Sequence, residues 1–177
     1  MLKRFLIIVT LGLLLLSLIS CSKSYFTIAE EVHENTAIKY KTVNSFYEMG
    51  KSIELTRGKF QLIPGDSIVL FIEGRSTKST VSGETFAELP TAKSARFFVT
   101  LPISIAEGKY NTTHKAICEI IGSLNYQTGE GLFTCQSGEV VIDSLKGEKL
   151  FGSITGKYRN TKNQSLTVNG NIEANIR

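Results

Sequence analysis

Hydrophobic and polar positions alternate with a period of two along most of this chain, most plainly at its end. Leu166, Val168, Gly170, Ile172, Ala174 and Ile176 hold the even positions, whereas Ser165, Thr167, Asn169, Asn171, Glu173, Asn175 and Arg177 hold the odd ones. Successive side chains of a strand point to opposite faces, so this stretch has one apolar face and one wet face. At 3.6 residues per turn the same residues would scatter around a helix. Just upstream, 149–158 (KLFGSITGKY) puts Leu150, Ile154 and Tyr158 on one parity with Gly152 and Gly156 between them. The polar run 159–164 then turns the two segments into a terminal hairpin. Glycines inside a strand mark a bend, a bulge or a large ring packing across them.

Further strands are expected at 53–55, 59–63, 67–73, 95–103, 116–121, 132–135 and 139–145. Turn residues separate them: Arg57-Gly58, Pro64-Gly65-Asp66, Ser82-Gly83, Thr128-Gly129-Glu130-Gly131, Ser137-Gly138 and Lys146-Gly147. Short strands so punctuated predict an all-β fold, an antiparallel β-sandwich or barrel. At most one or two short helices are expected near the N-terminus. The spacing Thr27-x-x-Glu30, with Ile28 and Val32 as i, i+4 neighbours, fits a helix near 28–35. A second helical segment is expected at 43–50, where Phe46, Tyr47 and Met49 would pack on a sheet edge.

The first residues break the pattern. Lys3 and Arg4 precede fifteen residues without a charge, Phe5 to Ile19. A bilayer-spanning helix needs about 20 apolar residues, whereas the apolar core of an export signal needs roughly 7–15. Directly after it comes Leu18-Ile19-Ser20-Cys21. This resembles the lipobox of bacterial lipoproteins, and the resemblance implies cleavage before Cys21, lipid on its thiol and an acylated amine. Several acyl chains on one residue hold a protein firmly on a membrane, where one chain holds it marginally. Ser22, rather than Asp, follows the cysteine, which by analogy with enterobacterial sorting implies the outer membrane, facing the periplasm. The organisation expected is a signal peptide over 1–20, a lipidated N-terminus and tether over 21–36, and a single β-domain over 37–177.

Removing the leader leaves 18 basic and 16 acidic residues, too even a balance for a nucleic-acid binder working through a basic face. With 42% hydrophobic and 20% charged residues, the chain is neither a disordered polymer nor a polytopic membrane protein.

Once Cys21 carries lipid, Cys118 and Cys135 remain. An even pair in an exported protein reads as a disulfide candidate, with two buried free thiols as the alternative. A tight hairpin centred on Gly129-Glu130 would place Cys135 opposite Leu124, so a bridge requires a longer loop or strands that are not direct partners. His33, among Glu30, Glu31 and Glu34, and His114, after Asn111-Thr112-Thr113, lack any ligand or base partner at a known spacing, so no metal site is expected. Glu73, Glu119 and Glu173 fall on the wet phase of strands. Phe71, Phe97 and Phe133 read as packing residues. No nucleophile elbow, phosphate loop or dinucleotide fingerprint is present, so neither a catalytic site nor a cofactor is expected.

The C-terminal half, from Gly108-Lys109-Tyr110 through Ser137-Gly138-Glu139-Val140-Val141-Ile142 and Lys149-Leu150-Phe151-Gly152, is similar in cadence to small all-β lipoproteins of Bacteroidota. That resemblance implies a fold and no activity. The function expected is a non-catalytic envelope lipoprotein, anchored through Cys21, whose β-domain binds a protein partner or a small apolar ligand, or has a structural role. The alternative is an inhibitor or immunity-type lipoprotein that inserts loops such as 89–94 or 126–131 into an enzyme or toxin.

Overall fold

A computed structural model describes residues 24–30, 33–56, 59–76, 94–122 and 131–177, without the side chains of 30–36 and 59. The leader, Cys21 and the turns at Arg57-Gly58 and Ser82-Gly83 lie outside these residues. Among the described residues nine strands form: β1 (Tyr25–Glu30), β2 (His33–Thr56), β3 (Lys59–Ser76), β4 (Ser94–Pro102), β5 (Gly108–Asn111), β6 (Ala116–Ile121), β7 (Gly131–Lys146), β8 (Lys149–Arg159) and β9 (Ser165–Ile176). No helix occurs among the described residues.

The expected choice between sandwich and barrel resolves to a closed, eight-stranded antiparallel barrel. Around the wall each strand lies beside its neighbour in sequence, and β9 returns to pair with β1. The ninth strand, β5, adds no position to the wall. It lies in line with β6 along β7, pairing with 139–142 while β6 pairs with 131–134. Between them Thr112 N–H donates to Gly138 O and His114 N–H to Cys135 O, with His114 at φ 58°. The break is therefore a local bulge in one longer strand.

Alternation decides what is inside. In β9 the even residues Leu166 to Ala174 are buried and the odd ones face water or are half-buried, as the sequence pattern requires. The interior is filled by side chains: Phe26, Tyr40, Phe97, Phe133 and Tyr158 are each at most 1% exposed. Phe26 stacks on Tyr40 with ring centroids 5.1 Å apart and meets Phe97 edge-on at 5.0 Å. Two glycines make room for this residue: a Cβ on Gly74 would lie 2.4 Å from the Phe26 ring, and one on Gly170 would lie 2.2 Å from the Phe26 Cβ. Gly156 likewise lies under the Tyr158 ring.

Three expectations about the N-terminal segments change. The tether expected over 21–36 does not extend past Ser24, because Tyr25–Glu30 is a wall strand bonded to β2 on one side and β9 on the other. Phe26 and Ile28, both 1% exposed, supply the reason: an apolar alternation inside a polar segment finds its partners only across the closed barrel. The same pairing excludes a helix near 28–35. The helix expected at 43–50 is also strand, because its residues pair with β3 from Asn44↔Glu73 to Met49↔Ile68.

Pro64-Gly65-Asp66 is not a turn that separates strands. Lys51 pairs with both Ser67 and Pro64, so Gly65 and Asp66 are extra residues opposite Lys51, and the adjoining Gly50, at φ 67°, is itself skipped by the register. Such a bulge bends a ribbon. The bend carries Phe60 back against Phe98 on the outer face, at 4.6 Å between centroids. Phe46, Phe71 and Phe98 form a row there across β2, β3 and β4, so Phe71 packs outside the barrel rather than within it. Ser137-Gly138 is also internal, to the bulged strand β7, whereas Lys146-Gly147 does begin the β7–β8 hairpin turn.

Candidate functional site

The groups with chemistry of their own gather inside the barrel. Cys118, Cys135 and Thr112 are all 0% exposed, as are Tyr40 and Tyr158. Cys118 comes from the inward phase of β6, and Cys135 from that of β7, where Tyr158 of β8 is its register partner. The break before β6 turns Thr112 inward, 3.7 Å from the Cys135 sulfur. Neither tyrosine hydroxyl has a well-formed hydrogen bond.

The expected disulfide is not formed: Cys118 and Cys135 are free thiols. The register explains it. Cys118 pairs with Phe133, so Cys135 lies two residues further along β7. Diagonal neighbours of this kind are roughly 7–8 Å apart between Cα atoms, and a disulfide bridges only about 4.4–6.8 Å. The pairing is also not the one a tight hairpin at Gly129-Glu130 would impose.

Burial sets the chemistry of this cluster. It pushes the Cys118 thiol well up, with the neighbouring Glu119 carboxylate adding to the effect. Burial also raises Cys135, although contacts with Thr112, Tyr158 and the Ser137 backbone pull it part of the way back. Both phenols are raised, Tyr40 by burial and then Cys118, Tyr158 by burial and then the two thiols. Thiolate, not thiol, is the nucleophile, so at neutral pH these cysteines are inert core groups.

A pH prediction follows. Each of these groups has a folded pKa above its unfolded one, so its contribution to stability is whole below the unfolded value. It is lost as pH rises past 9.0 for the thiols and 10.0 for the phenols. Urea midpoints measured from below pH 9 to above pH 10 should fall steadily, and Cys118→Ala should flatten the fall. A flat profile in the parent protein would contradict the protonated core.

Elsewhere the candidate residues are surface groups. His114 is exposed at the β5–β6 break, and the side chain of His33 is outside the described set. Among the described residues no cluster of His, Cys, Asp or Glu could hold a metal ion. Glu73 and Glu119 flank Arg96 at 3.5 Å each, and Glu173 accepts from Lys149 at 3.0 Å, so these acids brace the outer wall. Loop 126–131 lies outside the described residues except for Gly131, and loop 89–94 except for Ser94. Comparison with known proteins found no matching family model, no matching curated protein and no matching solved structure.

Sequence reasoning missed Thr112, Tyr40 and Tyr158 as companions of the cysteines. Only the inward parity of Tyr158 with Leu150 and Ile154 hinted at its place.

Proposed function

We propose that this chain is an envelope lipoprotein, anchored through lipid on Cys21, whose barrel is a non-catalytic binding or structural module. The observation that carries the reading is the order Lys3-Arg4, apolar run, Leu18-Ile19-Ser20-Cys21, placed just before the first wall strand. Polarity on the β9 side of the barrel agrees with this. Its interior is apolar, and β9 presents Thr167, Asn169, Asn171, Glu173 and Asn175 outward, whereas a spanning barrel needs an apolar outer band. Membrane attachment through a lipid therefore suits this wall better than insertion. Packed rings occupy the space a small apolar ligand would need, which favours a partner on the outer surface. The reading places the protein on the periplasmic face of the outer membrane.

Labelled palmitate should enter the protein in the cell, and Cys21→Ala should abolish the label. The same substitution should move the protein out of the particulate fraction. Unlabelled wild-type protein, or a variant that stays equally membrane-bound, would overturn the anchor.

A further inference from the structure

We propose that the outer wall formed by β1, β2 and β3 lies against anionic lipid headgroups, so that the barrel rests on its side on the membrane. The inference rests on the Cys21 anchor and adds an orientation and a lipid chemistry to it.

The first argument is the length of the leash. Ser24 is already held in the wall: Thr42 N–H donates to its carbonyl at 3.0 Å, and its hydroxyl donates to Asn171 O at 2.5 Å. Only Ser22 and Lys23 separate it from Cys21. Three residue steps span at most about 10 Å, against the roughly 50 Å that a 15-residue tether would allow. The exit is also in the side of the barrel. Beyond the start of β1, β2 and β9 close directly on each other at Phe46↔Asn175 and Tyr47↔Ile176. The start of β1 therefore lies in the side of the wall rather than at a rim.

The second argument is what surrounds that exit. Tyr25, Lys41 and Arg75 form one cross-strand row on β1, β2 and β3. Lys39 lies over the Tyr25 ring at 4.3 Å. Lys39, Lys41 and Arg75 are all exposed, and so is Val43, at 48%. Lys41 and Arg75 are direct partners of like charge, an arrangement that weakens a sheet. Neither joins an ion pair among the described residues. Basic side chains, a tyrosine and an exposed aliphatic suit the headgroup region, and the leash holds them within about one Debye length of it.

The test uses the lipidated chain in liposomes. A single nitroxide is placed by Val43→Cys on β2 or by Gln136→Cys on β7, four strand positions away across the barrel. Collisions are read against a nickel-chelating lipid, and flotation reports the anchor separately. With phosphatidylglycerol present, the Val43 label should meet lipid-borne nickel several-fold more often than the Gln136 label. Replacing phosphatidylglycerol by phosphatidylcholine, or making the double change K41E/R75E, should narrow the difference to what the short leash alone imposes. Equal collisions in floating protein with phosphatidylglycerol would overturn the side-on orientation. A Val43 preference unchanged in phosphatidylcholine would overturn headgroup recognition, without any need for the charge-reversed variant to fold. Protein that does not float removes the anchor, and the orientation with it.

Discussion

Phe26→Ala is expected to cost about 3–5 kcal/mol of folding free energy, a large share of what a domain of this size possesses. The residue touches four strands at once. Its ring stacks on Tyr40 of β2, meets Phe97 of β4 edge-on and fills the hollow over Gly74 of β3, while its Cβ lies against Gly170 of β9. Its loss leaves a cavity that no small side chain nearby can fill, and it frees β1, which is only six residues long. Urea unfolding followed by circular dichroism should show a lower midpoint at an unchanged slope. A solvated tether residue would instead change stability by less than about 0.5 kcal/mol. The measurement thus separates a wall strand from a leash.

The second large effect comes from adding one carbon. Gly170→Ala would place a Cβ 2.2 Å from the Phe26 Cβ, 2.6 Å from its Cα and 2.9 Å from the Tyr25 carbonyl oxygen. Those neighbours are backbone or fixed to it, so β9 must move away from β1 at the pair that closes the barrel. Overpacking of this kind costs roughly 1–3 kcal/mol, and the position of the clash argues for the upper end. Phe26→Ala should not rescue it, since the Cα and the carbonyl remain in place. A double variant as stable as Phe26→Ala alone would show that the ring, not the backbone, sets the glycine requirement. Gly156→Ala makes a useful comparison. Its nearest conflict is the Tyr158 ring edge at 3.0 Å, which can give.

Most strand positions were legible in the amino-acid order, and the reason is local. Residues 165–177 alternate without a fault, and the structure buries the apolar set. Glycines flagged as ring neighbours included Gly156, which does lie beneath Tyr158. Where local signals misled, a distant partner had overruled them. The capping-box spacing at Thr27 and Glu30 is real, yet β2 and β9 claim the backbone of that segment. Pro64-Gly65-Asp66 has the composition of a turn, but the flanking residues stay paired across β2 and the extra residues become a bend.

The cysteines show the same limit. Two thiols on neighbouring strands suggested a bridge, and only the register Cys118↔Phe133 sets them diagonally. Loop length alone cannot supply that register, which is set by which faces of the two strands are buried.

The sequence by itself therefore determined the all-β class, the inward and outward faces of its strands and the lipobox-like order of its first residues. Each of these is a property of neighbours along the chain, read through the pleat of a strand. Only the tertiary structure decided that the sheet closes, that Tyr25–Glu30 completes it, and that the thiols stay apart. Closure joins β9 to β1 across most of the chain, and its free energy is shared by every strand between them. No local window contains it.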